Sequence, residues 1–153
     1  MRDVMQSLIT ERGTCVLATA SENKPHCSLM AYVSDDTGGE LYMATQRETT
    51  KYRNLSANPW VSLLIDTRRE VTGGERLSAK ALTISGRFQS LAGTSKYPVA
   101  RAKLLDRHPH LQRFLEDPDV EVFAIKAESF LLLVGLTEAY FETADSLIGG
   151  EPS

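Results

Sequence analysis

Polar side chains between two strand-like segments have the types and spacing to bind a phosphate. The stretch 41–64, LYMATQRETTKYRNLSANPWVSLL, has the pattern of a strand, a polar turn, a short helix and, after Asn-Pro, a second strand. A helix start offers unpaired N–H groups and the positive end of the helix dipole, and both favour a phosphate. Lysine and arginine add charge-assisted hydrogen bonds. The residues of this predicted phosphate cradle are Thr45, Arg47, Thr49, Thr50 and Lys51.

The cradle lacks the glycines of a Walker loop or a dinucleotide fingerprint. Its order of motifs is a strand ending in Tyr-x-x-Thr, then a hydroxyl residue and a lysine, then Asn-Leu, then Asn-Pro and a strand. The residues concerned are Tyr42, Thr45, Thr49, Lys51, Asn54, Leu55, Asn58, Pro59 and the strand 60–64. This order resembles the split β-barrel flavoproteins related to pyridoxamine 5′-phosphate oxidase, over about residues 1–140. The segment 25–32, PHCSLMAY, is similar to their flavin-contacting strand, and 104–114, LLDRHPHLQRF, is similar to a helix of the branch that contains haem-utilisation proteins.

The resemblance implies a homodimer with FMN at the subunit interface. The FMN phosphate is expected on the cradle, and the backbone of 26–31 is expected along the isoalloxazine ring. Thr50 stands where relatives often have arginine, so Arg47 is the candidate to supply that charge. The expected cofactor-binding residues are Ser28, Leu29, Met30, Ala31, Ala44, Thr45, Arg47, Thr49, Thr50 and Lys51.

No catalytic residue can be named from spacing, because neither a Ser-His-Asp nor a Cys-His arrangement stands out. An enzyme here would take its chemistry from a cofactor. The first hypothesis is therefore an FMN-dependent oxidoreductase with an unknown substrate. A non-enzymatic flavin-binding protein and a haem-handling protein are the alternatives, and a deazaflavin could replace FMN. The haem-degrading relatives carry an extra C-terminal segment, which weakens the haem alternative. The Trp…Arg-x-His motif of the true oxidases has no match in GLTEAYFETADSLIGGEPS, so pyridoxamine 5′-phosphate oxidation is not expected.

Other chemistry-bearing residues have structural interpretations. His108 and His110 flank Pro109, but no third histidine or CxxC completes a metal site; their segment is expected in packing or at the dimer cleft. Trp60 is expected in the core or at an interface. Asn54 is expected to stabilise its turn. Cys15 and Cys27 lie in apolar strand patterns and are expected to be buried free thiols.

Composition fits a single small globular domain. The chain has 153 residues, 42% hydrophobic and 24% charged, with a net charge of -3 that gives no reason to expect nucleic-acid binding. No apolar stretch is long enough to span a bilayer, and MRDVMQSLITERG is not a signal peptide, so a cytoplasmic location is expected. The expected organisation is one domain over 1–145 with a flexible tail over 146–153.

Strand patterns outnumber helical ones. A helix capped by Asp3 and stopped by Gly13 is followed by a predicted antiparallel meander of three strands before the cradle. Strands are then predicted at 60–65, 77–91, 120–127 and 130–134, with one more possible at 139–141, a bulge or close approach at Gly86 and a helix from residue 94 or 95 to about 107. The segment 66–75, DTRREVTGGE, is predicted to be a mobile loop. The predicted fold is mainly β, an FMN-binding split barrel with flanking helices.

Overall fold

Antiparallel strands with alternating apolar residues carry the fold. The computed structural model describes residues 1–67 and 79–149. Within these ranges the strands are β1 (Thr14–Ser21), β2 (Lys24–Ala31), β3 (Val33–Ser34), β4 (Glu40–Gln46), β5 (Trp60–Asp66), β6 (Lys80–Ser90), β7 (Val120–Val134) and β8 (Glu138–Thr143). The helices are α1 (Arg2–Glu11), α2 (Thr50–Ala57), α3 (Lys96–Arg107), α4 (Gln112–Glu116) and α5 (Ala144–Ile148), with a 3-10 turn at Pro109–Leu111.

The strands form one sheet in the order β2-β1-β5-β6-β7-β4-β3, and β8 pairs with β7. Only Tyr32 separates β2 from β3, so one stretch of chain pairs with β1 at one end of the order and with β4 at the other. The sheet therefore bends round into a barrel, which removes most exposed edges. The predicted mainly β barrel with flanking helices is confirmed. The predicted three-strand meander is confirmed only in part. The stretch 27–33 pairs with β1 and, through Val33, with Tyr42 of β4, but most of β4 pairs with β7.

Two apolar clusters hold the elements together. Inside the barrel, inward side chains such as Leu17, Leu63 and Phe123 pack with residues from α1 and α5. A second cluster, which includes Tyr42 and Leu104, joins the outer face of β4 and β7 to α3 and α4. The described helices thus cover the barrel on selected sides, and none of them lies over the remaining part of its outer face.

Several local expectations differ from the structure. The cap of α1 is Met1 instead of Asp3, and no side-chain hydrogen bond is made there. Residues 120–134 form one long strand, where two were predicted. Ala144–Ile148 form a helix with a capping box, and Leu147 is buried, so the tail predicted from residue 146 begins in ordered structure. Residues 68–78, which hold most of the predicted loop, and residues 150–153 lie outside the described ranges.

The two cysteines have opposite environments. Cys15 is buried on the inner face of β1, as predicted, and burial raises the pKa of its thiol to about 12. Cys27 is exposed, so its predicted burial is wrong. The reason is that β2 is an edge strand, and Cys27 lies opposite Ala18 on the outer face, where none of the described helices covers it.

Gly86 is required by a close approach between strands, as predicted. The register between β6 and β7 shifts at Ser85/Gly86, and a Cβ at Gly86 would lie 2.8 Å from the Lys126 carbonyl oxygen and 2.9 Å from Cγ2 of Ile125. We expect Gly86→Ala to lower the free energy of unfolding by about 1–3 kcal/mol, because overpacking displaces backbone. Urea denaturation measures this. The exposed neighbour variant Ser85→Ala should change stability little, and equal stability of the two variants would contradict the account.

No helix within the described ranges is both long enough and apolar enough to cross a membrane.

Candidate functional site

The start of α2 lies where the predicted contact segments meet. Helix α2 contacts β1, β2 and β4, so its first turn is placed near both the edge strand β2 and the end of β4. Thr49 caps the helix: its hydroxyl accepts a hydrogen bond from the Tyr52 amide at 3.1 Å and donates to the Gln46 carbonyl at 3.0 Å. This cap uses the Thr49 hydroxyl but leaves the amides of Thr50 and Lys51 without partners inside the helix. The positive end of the helix is therefore available to an anion.

Lys51 is a partly desolvated cation at the start of α2. Its side chain is half-buried, and desolvation lowers its pKa below the ordinary value. Among the ion pairs and hydrogen bonds of the described residues, none involves the Lys51 ammonium. A partly desolvated cation without a carboxylate is costly unless an anion supplies the missing charge. Lys51 thus has the surroundings of an anion-binding residue.

The end of β4 places Thr45 and Ala44 on opposite faces. Thr45 is buried at the barrel end. Within the part of the chain that the structure describes, its hydroxyl makes one long hydrogen bond, 3.4 Å to the Gln46 carbonyl, so it can also donate to another acceptor. The Ala44 side chain packs against the second cluster, which α3 and α4 cover. Any contact of Ala44 with a ligand at α2 would therefore use its backbone.

Arg47 is engaged at the start of β7. Its guanidinium donates to the Pro118 carbonyl at 3.0 Å, and its Nε lies 3.9 Å from the buried carboxylate of Glu121. The Tyr52 hydroxyl donates to the same carboxylate, and this hydrogen bond is the main cause of the raised pKa of Tyr52. The structure therefore joins Arg47 to Glu121 and Tyr52, and it does not pair Arg47 with Lys51. Sequence reasoning missed Glu121, although a carboxylate within the apolar run VEVFAI was a signal.

Asn54 has a structural role, but its side chain bonds a strand instead of stabilising its own turn as predicted. Its amide donates to the Thr19 hydroxyl at 3.1 Å, and both side chains are buried. This hydrogen bond connects α2 to β1 and helps to position the helix against the strand.

Strand β2 divides the four predicted ring contacts between its two faces. Met30 is buried in the core and Ser28 shares its face, whereas Leu29 is 71% exposed on the other face, together with Ala31. One flat ring cannot touch all four side chains from one side. Since β2 ends the strand order and pairs through residues 24–31 with β1, its second edge presents backbone N–H and C=O groups. Those groups can recognise a polar ring edge without particular side chains.

The outer face of the sheet carries a row of mostly apolar side chains, over which no described helix packs. Six residues, one from each of β2, β1, β5, β6, β7 and β8, pair directly with one another across neighbouring strands and lie on the same face. The members of this outer-face row are Leu29, Val16, Leu64, Thr83, Leu131 and Phe141. Leu29, Leu131 and Phe141 are among the exposed large hydrophobic residues. Exposed apolar patches are typical of interaction surfaces.

Trp60 and His110 are exposed, whereas His108 is buried. Trp60 is 57% exposed, and the Arg87 guanidinium carbon lies 5.5 Å from its ring centroid. An exposed tryptophan held by an arginine suits an interface. His108 is buried, and its Nε2 lies 2.8 Å from the Tyr32 carbonyl, so it packs within its own chain. Within the described ranges, no group of three or more potential metal-ligating side chains occurs.

Comparisons with known proteins agree with this architecture. The family described as "Pyridoxamine 5'-phosphate oxidase" matches residues 1–133. No curated protein matches the chain. Among solved structures, a haem-binding protein from Mycobacterium smegmatis is 18% identical with a TM-score of 0.81, covering 95% of this chain and 59% of that one.

Two other solved structures match over nearly their whole length. HutZ, a haem storage protein from Vibrio cholerae, is 20% identical with a TM-score of 0.71, covering 87% of this chain and 93% of that one. An FAD-binding protein from Mesorhizobium loti is also 20% identical, with a TM-score of 0.69. The match covers 84% of this chain and 91% of that one. At these identities the structural matches establish a shared fold.

Proposed function

This chain belongs to the pyridoxamine 5′-phosphate oxidase family, and on that premise we propose that it is an FMN-binding oxidoreductase. The observation that carries the proposal is Lys51, a half-buried cation that lacks an ion-pair partner within the described ranges and lies at a helix start. A bound flavin would supply the two-electron chemistry for which the chain itself offers no recognisable catalytic group.

The described residues fit the two ends of FMN differently. Lys51 and the first amides of α2 provide charge and N–H donors for the phosphate. Thr45 and the hydroxyl of Thr50, which accepts from Arg53 at 3.2 Å, are further candidates there. The open edge of β2 offers backbone groups to the ring, and Ser28 lies on the face toward the barrel. The phosphate should therefore contribute more specific contacts than the ring.

A titration with two ligands tests this proposal. FMN and riboflavin share the ring and the ribityl chain but differ by the phosphate. We expect FMN to bind at least about tenfold more tightly, since a hydrogen bond to a charged group is worth about 1.5–3 kcal/mol. Quenching of flavin fluorescence reports both affinities. Equal affinities would show that the phosphate is not recognised.

The proposed assembly is a homodimer formed through the outer-face row. A twofold dimer needs a patch that is complementary to itself, and an apolar row across several strands can satisfy this. A recess of about 410 Å³ next to Val16, Leu29 and Leu64 can receive side chains of the second subunit. Trp60 lies on the same uncovered face of the sheet. Dimerisation would also cover the flavin ring, which a barrel of this size cannot enclose.

We expect little oxidation of pyridoxamine 5′-phosphate by the FMN-loaded protein. In the oxidases that this chain resembles, a C-terminal motif helps to bind the substrate phosphate. Here residues 138–149 contain Glu138, Glu142 and Asp145 and no lysine or arginine. Carboxylates near an anionic substrate disfavour its binding. Release of hydrogen peroxide is the assay, and turnover near the enzyme median of about 10 per second would overturn this expectation.

A further inference from the structure

A groove continues from the phosphate cradle along one face of α2. It has a volume of about 410 Å³, within the range of small-molecule sites. One wall is the helix face that carries Thr50, Arg53 and Ala57, and the other is the β1–β2 turn with the start of β2. Thr50 lines the groove and also belongs to the cradle, so a ligand group attached to the first phosphate can extend into the groove.

The groove is more cationic than the chain as a whole. Among the described residues, its lining includes Lys24, Arg53 and His26 and one carboxylate, Glu22. The ion pairs recorded among the described residues include neither Lys24 nor Arg53. Arg53 donates to the Thr50 hydroxyl at 3.2 Å. In a chain with a net charge of -3, this local excess of positive charge favours an anionic ligand.

Both walls are fixed by local structure. Glu22 and Asn23 have φ values of 53° and 63°, and Ser21 pairs with Lys24, as in a tight two-residue hairpin turn. The turn therefore holds Lys24 opposite α2. On the helix side, the Asn54–Thr19 hydrogen bond ties α2 to β1. Arg53 follows Thr50 by about one helical turn, or about 5 Å along the axis, which suits a second phosphate linked to the first.

We propose that the groove binds the adenylate half of a dinucleotide flavin, so that FAD occupies the site with its FMN half on the cradle. The second phosphate would lie between Arg53 and Lys24, and the nucleoside would continue along the helix face toward Ala57. This inference rests on the proposed flavin function. It adds a ligand class, a flavin with an anionic extension on its phosphate, and it assigns Lys24 and Arg53 to that extension alone.

Calorimetric titration of the full chain with FAD, FMN and riboflavin tests the proposal. We expect FAD to bind about tenfold more tightly than FMN, because a charge-assisted hydrogen bond adds about that factor. In Arg53→Ala and Lys24→Ala, FAD should lose this advantage while FMN affinity stays within about twofold. Arg113→Ala is the matched control, since Arg113 is exposed on α4, and it should bind all ligands like the unaltered chain.

The outcomes separate this inference from the proposed function. Tight FMN binding with weaker or equal FAD binding overturns the groove assignment and leaves the FMN site intact. Equal losses for FMN and FAD in Arg53→Ala also overturn it, because Arg53 would then serve the first phosphate. Failure of the unaltered chain to bind any flavin overturns both.

Discussion

Lys51→Ala should weaken FMN binding by about ten- to a hundredfold and change riboflavin binding far less. The substitution removes a charge-assisted hydrogen bond to the phosphate, worth about 1.5–3 kcal/mol. Lys51 is partly withdrawn from water and has no recorded carboxylate partner within the described ranges, so its charge is not already neutralised. Fluorescence titrations of the unaltered chain and of Lys51→Ala, each with FMN and with riboflavin, measure the effect.

The pH dependence follows from the lowered pKa of Lys51. Desolvation disfavours the charged lysine before a ligand binds, and a bound phosphate would favour it again. The advantage of FMN over riboflavin should therefore be lost as pH rises through the pKa of the unliganded lysine, which lies below 10.5. In Lys51→Ala this loss at high pH should be absent.

Two controls make the Lys51 result specific. Lys103→Ala removes a lysine away from the cradle, whose Nζ lies 3.8 Å from Oδ1 of Asp36. It should leave the affinities for FMN and riboflavin unchanged. Lys51→Arg keeps the charge and should retain much of the FMN affinity. If Lys51→Ala weakened FMN and riboflavin equally, Lys51 would not contact the phosphate.

Leu131→Arg should convert a homodimer into a monomer and reduce FMN affinity in the same step. Leu131 lies in the outer-face row between Thr83 and Phe141. In a twofold dimer the new charge is buried twice, and an unpaired buried charge costs about 3–5 kcal/mol, or more than a hundredfold in the dissociation constant. Light scattering over a dilution series measures the assembly, and flavin fluorescence measures the cofactor.

The single tryptophan provides an independent signal for the same interface. Trp60 is 57% exposed in one chain, so its emission should shift to shorter wavelength when a second chain covers it. Val99→Arg places the same charge on α3, at another exposed apolar residue, and should leave the dimer intact. A monomer that keeps its FMN, in the unaltered chain or in Leu131→Arg, would place the whole cofactor site within one subunit.

Features of the fold that depend on neighbouring residues could be predicted from the sequence. The α2 helix and the strand after Asn-Pro follow from local pattern and proline geometry. The bulge at Gly86 follows from the lack of a side chain in a strand. These signals act over a few residues, so a single sequence contains them.

Features that depend on distant pairing could not be predicted in this way. Nothing local in β4 indicates that its partner is β7, and therefore the contacts of Arg47 and Tyr52 with Glu121 were not foreseen. Cys27 has an apolar context, but its exposure depends on β2 being an edge strand.

The absorbance spectrum of the purified protein, recorded after incubation with FMN and removal of unbound ligand, tests the central claim most directly. The account predicts the two visible bands of oxidised flavin, with FMN retained in an amount equal to that of the chain. Exclusion of FMN together with retention of haem, seen as an intense Soret band, would contradict the flavoprotein assignment and favour haem handling. Retention of neither chromophore would contradict it as well.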